Sequence, residues 1–371
     1  MKKFFNKYLL SLSIGLLMLV VIAGLITRYY RAKEQEHRHL MEEMAEQAQS
    51  TFEPVLPNKS VSFPDDFTVH PTYQQEVWRY IATVKDQQGN PYLVQWFLFR
   101  MAMSEVQGVS WESPQIYTSQ AIVTTPKQIF LDQRFARGGI GLVGIRQRPY
   151  QLSIGNWSIR SFSERPFPGR VFVSTDQFSV DLTSKLLRPY VGLGDKGYQV
   201  THDLLAKAMY GYSAPYIEAS GTIRIGNQDI KVAGSASFTQ VWGTDIMGQK
   251  QSGYSHLLFR LQDGRVLSLV KSHHQEKIHP YSFGNLYTPD GKHIALSNED
   301  IEIRSVGTTT LSNGKVLPLQ WVVNIPKYNI HLTAHSNRYD QWANLSIPSW
   351  SGRIQTTGNI KAEGYLQLVG Y

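Results

Sequence analysis

The 371-residue sequence contains no cysteine. Disulfides, thiolate nucleophiles and cysteine-ligated metals are therefore excluded. Unpaired thiols are a liability in an oxidising compartment, so a cysteine-free chain is compatible with a location outside the cytoplasm. The sequence also lacks runs of Lys and Arg, zinc-finger spacing and RNP-type motifs, and its net charge of +8 comes from scattered basic residues. Nucleic acid is accordingly not an expected partner.

Helical periodicity is scarce after the first fifty residues, and residues 201–209 are the one later segment with a helical pattern. Aromatic residues are plentiful (20 Tyr, 16 Phe and 8 Trp), which favours half-buried sheet surfaces. Short apolar runs alternate with turn signals, at 86–90, 226–229, 262–264, Asp290-Gly291 and Asn313-Gly314. This spacing predicts an all-β fold, and its length favours two tandem antiparallel β-domains.

The one long apolar run lies at the N-terminus, at residues 8–27. Twenty helical residues span about 30 Å, the thickness of the hydrocarbon core of a bilayer. Three lysines precede the run, and Arg28 and Arg31 close it. Ala23-Gly24 offers small residues for cleavage of a signal peptide, which is the alternative, but Leu25-Ile26 continues the apolar run. We therefore predict an uncleaved single-pass anchor at 1–30 in the cytoplasmic membrane, with the rest of the chain on the periplasmic side.

Residues 31–58 are predicted to form a helical stalk and a linker. Residues 32–49 contain neither Gly nor Pro, and Leu40 and Met44 recur at helical spacing. Pro54 and Pro57 then end the helix. The predicted β-domains follow at 59–245 and 246–371.

Three motifs resemble functional sites (a dinucleotide-binding loop, a metal site and an acid/base pair), and we interpret each of them as structural. The glycine-rich stretch at 191–197 matches a dinucleotide fingerprint, but no strand–helix–strand pattern surrounds it, so we interpret it as a turn. The segment at 273–279 contains three histidines without a zinc-site spacing, and we interpret it as a solvated loop. Asp65 and Asp66 precede the first predicted strand, where aspartate commonly stabilises a turn.

The segment FPDDFTVHPTYQQEVWRY, at 63–80, resembles the opening block of a family that contains carotenoid 1,2-hydratases and AttH-like proteins. That block reads Phe-Pro-x-Asp-His-Gly-x-His-Pro-x-Tyr, followed by Glu-Trp-Trp-Tyr. Further similarity follows in the same order along the chain, at 95–100, 212–215, 317–326 and 364–371. The resemblance implies two lipocalin-like β-barrel domains, in agreement with the strand pattern.

At several positions where the family pattern has an acidic residue, this sequence has a neutral one. The family block Gly-x-Ala-Trp-x-Asp-His/Arg-Glu-Trp-Gly is similar to residues 234–243, but Thr239 stands in place of the aspartate. Ser351 and Gln367 replace two further glutamates. Protonating an unactivated double bond needs a carboxylic acid in a dry site. We expect no such acid beside Trp242, so the hydratase mechanism does not carry over. The remaining replacements are Ser237 for tryptophan, Gln240 for His/Arg, Val241 for glutamate and Phe67 for histidine.

The resemblance also implies a set of ligand-binding residues, with Trp78, Phe97, Tyr212 and Trp242 lining a cavity. An alternative for Glu76, Gln95 and Arg100 is a buried polar network that closes one end of a barrel. No cofactor, metal or catalytic residue is predicted. The predicted binding residues are His70, Glu76, Trp78, Gln95, Phe97, Arg100, Tyr212 and Trp242.

The sequence favours a non-catalytic protein that binds an apolar or amphipathic small molecule, because neutral side chains suit an apolar cavity. AttH-like relatives are associated with ABC-type permeases, so the resemblance implies a role as accessory to an export system. The alternative is an enzyme of the family (a hydratase, hydrolase or cyclase) whose active site has moved or uses no acid. A third possibility is a purely structural subunit of an envelope complex.

Overall fold

The computed structural model describes residues 24, 28, 52–104, 110–204, 207–244, 246, 251–274, 279–336, 338 and 340–371. Apart from residues 24, 28 and 52–58, the predicted anchor and stalk lie outside this part of the chain. Among the residues described, no helix is long and apolar enough to cross a membrane.

Thirteen antiparallel strands between residues 75 and 243 form the first sheet, whose main path runs β4-β3-β2-β1-β13-β12-β9-β8-β7-β6-β5. The short strands β10 and β11 pair with β12 beside this path. The strands are β1 (Gln75–Asp86), β2 (Pro91–Ala102), β3 (Gln115–Thr124), β4 (Ile129–Arg137), β5 (Val143–Arg146), β6 (Gln151–Ile154), β7 (Trp157–Arg160), β8 (Gly169–Ser174), β9 (Phe178–Leu186), β10 (Val191–Gly192), β11 (Tyr198–His202), β12 (Lys207–Ile225) and β13 (Gln228–Gly243).

Ten strands form the second sheet, in the order β17-β16-β15-β14-β23-β22-β20-β19-β18, with β21 beside β22. From residue 52 onward, the described helices are three single 3₁₀ turns, at Ser110–Glu112, Asn298–Asp300 and Pro326–Tyr328. The strands are β14 (Gln251–Leu261), β15 (Val266–His274), β16 (Tyr281–Tyr287), β17 (His293–Leu296), β18 (Glu302–Thr310), β19 (Val316–Ile325), β20 (Ile330–His335), β21 (Trp342–Ala343), β22 (Ser349–Gly358) and β23 (Ala362–Val369).

The all-β expectation is confirmed, but the two sheets differ in how far they close. The first curls into a near-barrel and the second into a half-barrel. Arg134 on β4 donates hydrogen bonds to the carbonyls of Ile154 and Ser174, which helps to join the two ends of the first sheet. In the second sheet, Lys271 on β15 donates a hydrogen bond to the carbonyl of Ile303 on β18 at 3.0 Å, but the sheet curls only into a half-barrel. The expectation of two closed barrels is therefore met only in part.

Turn chemistry sets the register of the predicted hairpins. Gly89 takes a φ of +83°, which L side chains avoid, and its N–H donates to the carbonyl of Asp86 to close the β1–β2 turn. Lys85 then pairs with Pro91, and the register continues to Gln75 opposite Met101. The turns predicted at 226–229, 262–264, 290–291 and 313–314 also join neighbouring strands.

The helix predicted at 201–209 is wrong. Residues 201 and 202 end β11, and residues 207–209 begin β12, which is paired with β11. The apparent helical spacing is therefore a strand–turn–strand pattern. The glycine-rich stretch at 191–197 begins with the two residues of β10, which pair with β12, and continues as the predicted turn. A Cβ at Gly197 would overlap Val61, so this position has no room for a side chain.

The sheets contact each other through an apolar cluster that belongs to both. Ile81 and Leu93 contribute from the first sheet, and Leu258, Tyr287 and Tyr365 from the second. Each sheet also encloses its own, larger core. Residues 244–250 separate the strands of the two sheets, beside the predicted domain boundary at 245, while the domain assignment itself stays a prediction.

Candidate functional site

Strand β1 separates two candidate sites, because successive side chains of a strand point to opposite faces. Glu76 and Trp78 point into the curl of the first sheet, where they join its core. Arg79 and Ile81 point toward the second sheet. We call the polar group on the inner side the inner cluster and the group between the sheets the interface cluster.

Glu76 is the centre of the inner cluster and is completely buried. One carboxylate oxygen accepts hydrogen bonds from His70 Nδ1 and Gln240 Nε2, both at 2.7 Å. The other accepts from the His70 N–H at 3.0 Å and from Arg100 Nε at 3.2 Å. Arg100 Nη2 also donates to the carbonyls of His70 and Tyr73. All of the hydrogen-bonding capacity of Glu76 is thus used within the protein.

His70 lies between two carboxylates. Its Nδ1 contacts Glu76, and its Nε2 lies 3.2 Å from Asp66 Oδ1. The imidazole stacks on Trp242, with the rings 3.7 Å apart and nearly parallel. Burial alone would lower the pKa of His70, but Glu76 and Asp66 raise it above its usual value. An imidazolium held between two carboxylates is the stable form of this arrangement.

The pKa values of the two neighbouring carboxyl groups, those of Glu76 and Asp66, are lowered. Burial favours a raised pKa for Glu76, but His70 and then Arg100 hold that pKa below its usual value. Burial also opposes the ionised form of Asp66, and its hydrogen bonds to His70 and to the Ser62 N–H lower its pKa. Both carboxyls are therefore ionised near neutral pH and do not serve as acids there.

Aromatic side chains surround the inner cluster. Tyr212 donates a hydrogen bond to Gln240 Oε1, and Phe67 packs edge-on against the Tyr212 ring. Trp242 Nε1 and the Tyr150 hydroxyl are buried without a partner among the residues described. Hydrogen-bonding capacity thus remains unused within the inner cluster at these two atoms.

The expectation that the region of Trp242 lacks a carboxyl group is wrong. Glu76 is directly opposite Trp242 in the pairing of β1 with β13. Asp66 contacts His70, whose ring stacks on Trp242. Asp66 stabilises its turn, as predicted, and contacts His70 as well. Asp245, which lies three residues beyond Trp242 in the sequence, is outside the residues described.

The interface cluster is built around Arg79 and His256. Arg79 Nη1 donates to His256 Nδ1 at 2.9 Å, and His256 Nε2 donates to Ser268 Oγ at 3.0 Å. Burial, reinforced by the charge of Arg79, holds the pKa of His256 well below its usual value, so the imidazole is neutral. The Arg79 guanidinium lies over the Phe97 ring at 5.7 Å. No carboxylate pairs with Arg79 in the described part of the chain.

Three of the four positions at which the sequence departs from the family acids lie beside this pair, and the fourth, Val241, is opposite Val77. Thr239 is opposite Arg79 in the pairing of β1 with β13. Gln367 is opposite His256, and Ser351 is opposite Gln367. The sequence analysis predicted no site between the sheets, and the charged residue that remains there, Arg79, was not among the predicted site residues.

Several buried polar atoms of the interface cluster lack a well-aligned hydrogen bond among the described residues. Gln95 is 1% exposed, and neither of its amide atoms has a hydrogen-bond partner in the described part of the chain. On one side Gln95 is opposite Ile81 of β1, which packs with Tyr365 of the second sheet. On the other side it is opposite Ile122 of β3, which packs with Ala343 of the second sheet. Gln95 therefore lies between two contacts with the second sheet. The other such atoms near these contacts are Arg79 Nε, Ser349 Oγ, Ser351 Oγ and the Tyr365 hydroxyl.

A cavity of about 290 Å³ opens along the edge of the interface. Tyr365 connects the two regions, because it lines this cavity and its ring lies 5.8 Å from that of His256. At the rim, Lys85 and Glu363 form an exposed ion pair at 3.2 Å. The volume approaches the lower end of the range of small-molecule sites. The lining residues are Thr83, Lys85, Ala233, Gly234, Ser235, Leu258, Arg260, Glu363, Gly364 and Tyr365.

The predicted binding residues fall into two groups. Gln95 and Phe97 face the second sheet, so they do not share a cavity with the other six. Their binding roles stay predictions, and for Glu76 and Arg100 the geometry is that of the alternative, a buried polar network. The six on the inner side are His70, Glu76, Trp78, Arg100, Tyr212 and Trp242.

The histidines at 273–279 do not form a solvated loop as predicted. His273 and His274 end strand β15 and are half-buried, and residues 275–278 lie outside the described part of the chain. His273 Nε2 lies 2.7 Å from the Tyr371 hydroxyl. The one group of described residues that could hold a metal ion is His202, Asp203 and His279, away from both clusters.

Two curled antiparallel sheets in tandem, with polar residues inside the first sheet and between the two, define a lipocalin-like class of all-β protein. The sequence profile of the AttH-like family matches residues 54–371, and the chain belongs to that family. The resemblance stated from the opening block is thereby confirmed.

Solved structures show the same fold. A putative AttH from Nitrosomonas europaea matches 86% of this chain and 100% of its own, with a TM-score of 0.75 and 21% identity. Kievitone hydratase from Nectria haematococca matches 86% of this chain and 96% of its own, with a TM-score of 0.63 and 14% identity. A search of curated protein sequences gave no match.

Proposed function

We propose that this protein binds an apolar or amphipathic small molecule between its two sheets, without transforming it. The apolar part of the molecule would occupy the cavity lined by Leu258 and Tyr365. Its polar end would reach the interface cluster, where Arg79 and Gln95 would receive it. Clefts between domains, mostly apolar with a few convergent polar groups, are common small-molecule sites.

The observation that carries this proposal is the buried amide of Gln95. A buried polar atom without a partner costs about 1–3 kcal/mol, and Gln95 has two such atoms. Leucine would avoid this cost, so the amide is best explained by a polar partner that arrives with the ligand. The Arg79 Nε, on the same face, suits the same partner.

A binding role without proton transfer agrees with the chemistry of the interface. Thr239, Gln367 and Ser351 carry no acid at the positions where the family pattern has one. The neutral His256 has both ring nitrogens engaged, by Arg79 and Ser268. The residues of the interface cluster left to meet a ligand can donate and accept hydrogen bonds, but none of them is a carboxylic acid. The one carboxyl group that lines the cavity, that of Glu363, lies at the exposed rim in an ion pair with Lys85.

The test is ligand capture by the full chain purified in mild detergent. Native mass spectrometry should detect a small molecule bound to the wild type, and extraction should recover it unchanged. The Gln95→Leu variant should lose the ligand and still fold. Recovery of the same ligand at the same occupancy from Gln95→Leu would refute an interface site.

The second candidate function is catalysis at the inner cluster. His70 is 9% exposed and is held between Asp66 and Glu76, an arrangement able to relay a proton. A neighbour in structure is a hydratase, and hydration needs such a relay. Turnover of a co-purified molecule by the wild type, lost in Asp66→Asn with folding intact, would favour this function over simple binding.

We further propose that the chain is anchored in the cytoplasmic membrane and acts with an ABC-type permease. The apolar run at 8–27 supports the anchor, and the family resemblance supports the partner. Membrane fractionation of cells that express the full chain, followed by mild cross-linking, tests both. Recovery of the chain in the soluble fraction would contradict the anchor, and cross-linking without a permease component would contradict the partner.

A further inference from the structure

A cluster of histidine and aspartate side chains lies where the two sheets meet, outside the sites described above. His202 is the last residue of β11, in the first sheet, and Asp203 follows it. His279 lies 76 residues further on, just before β16 of the second sheet. The side chain of His202 is 1% exposed, whereas Asp203 and His279 are about half exposed. The cluster thus opens to solvent on one side.

The distances in this cluster match those between the ligands of a zinc ion. Asp203 Oδ1 lies 3.3 Å from His202 Nδ1 and 3.2 Å from His279 Nε2. Zinc bonds to nitrogen and oxygen are about 2.0–2.2 Å, so neighbouring ligand atoms of a tetrahedral site are roughly 3.3–3.6 Å apart. Two of the three distances between donor atoms are thus already close to this separation, and all three donor atoms lie within 4.8 Å of one another.

A fourth donor is nearby. The ring of His202 is 4.9 Å from that of His279 and 4.7 Å from that of His274. Two imidazoles bound to one zinc ion have ring centres roughly 5 Å apart, given the same bond lengths. His274 Nδ1 is buried and has no hydrogen-bond partner among the described residues. His274 is outside the group whose donor atoms lie within 4.8 Å of one another, so its ring would have to turn toward the ion to complete the site.

We propose that His202, Asp203 and His279 bind a divalent transition-metal ion, for which Zn²⁺ is the best match, with His274 as the fourth ligand. Imidazole and carboxylate ligands in a tetrahedral arrangement suit zinc. His202 Nδ1 accepts a hydrogen bond from the Leu204 N–H at 3.0 Å, and the metal bond replaces that contact. His202 Nε2 keeps its hydrogen bond to the His279 carbonyl, which orients the ring. The bound ion links the two sheets.

The test is zinc binding by the untagged full chain in detergent, with a chromophoric chelator as competitor. The wild type should bind one Zn²⁺ per chain. Asp203→Asn and His279→Ala should each weaken binding at least about tenfold, since each removes a ligand. Both residues are exposed enough for the variants to fold. His331→Ala, which removes an exposed histidine elsewhere, is the matched control and should bind as the wild type does.

Cobalt supplies a second readout that does not depend on affinity. Co²⁺ in the same site should give the intense visible absorption of a tetrahedral complex, and His274→Ala should weaken it by opening a coordination position. Absence of stoichiometric zinc binding by the wild type would overturn the proposal. Equal affinity in the wild type, Asp203→Asn and His279→Ala would overturn it too, because the ion would then be bound elsewhere.

Discussion

Replacing Gln95 by leucine tests whether its amide group serves ligand binding or the stability of the fold. The side chain is 1% exposed, and neither amide atom has a partner among the described residues. Leucine has a similar size and removes the desolvation cost of two polar atoms, about 1–3 kcal/mol each. Because leucine does not reproduce the shape of glutamine fully, we expect a net stabilisation of the ligand-free protein of about 1–3 kcal/mol.

Gln120 offers a matched control on the neighbouring strand. It is also 1% exposed, but its Nε2 donates to Ser346 Oγ and to the Ile347 carbonyl, both at 3.3 Å. Gln120→Leu leaves those acceptors without their donor, so we expect a loss of about 1–3 kcal/mol.

Guanidinium unfolding followed by tryptophan fluorescence measures both variants after removal of small molecules. The reasoning fails if Gln95→Leu is destabilised as much as Gln120→Leu, because the Gln95 amide would then have partners in the free protein. A stabilised Gln95→Leu that has lost ligand binding is the combination expected of a residue kept for function.

Three further predictions concern the charged residues. Glu76→Gln should lower the free energy of unfolding by about 3–5 kcal/mol, because Arg100 then stays buried without its carboxylate partner. Guanidinium titration measures this loss, and a loss below about 1 kcal/mol would contradict the network. Stability should fall as pH rises through the raised pKa of His70, and as pH falls through the lowered pKa values of Asp66 and Glu76. Thermal unfolding across pH should therefore show two limbs, and His70→Gln should abolish the alkaline one; an unchanged alkaline limb would refute the assignment. Arg79→Met should reduce affinity for the captured ligand at least tenfold in native mass spectrometry, with folding retained, and an unchanged affinity would exclude Arg79 from the site.

The fold was largely predictable because local signals agreed with it. The turn at 86–90 and the Asn313-Gly314 turn specify their hairpins through backbone geometry that few residues allow. The helix predicted at 201–209 failed because its apolar spacing also fits two strands around a tight turn. Barrel closure was not predictable, since it depends on side-chain contacts such as that of Arg134 with Ile154, across distant strands.

The sequence analysis named several residues of the two clusters, whose binding roles stay predictions, but the arrangement of these residues was not predictable. The family resemblance marked Glu76 and Gln95, yet it gave no indication that they point to opposite faces of one sheet. Strand alternation could have supplied that signal. Gln95 is opposite Ile81, and Ile81 and Glu76 are an odd number of residues apart on β1, so their side chains point to opposite faces. His256 and Arg79 were missed because their partnership joins residues 177 positions apart.

The position of the bound molecule is the most direct test of the central claim. A crystal structure of the full chain with its co-purified ligand should show that molecule between the two sheets, with its polar end within hydrogen-bond distance of Arg79 and Gln95. A molecule seated instead inside the first sheet, against Trp242 and His70, would contradict the account and favour chemistry at the inner cluster.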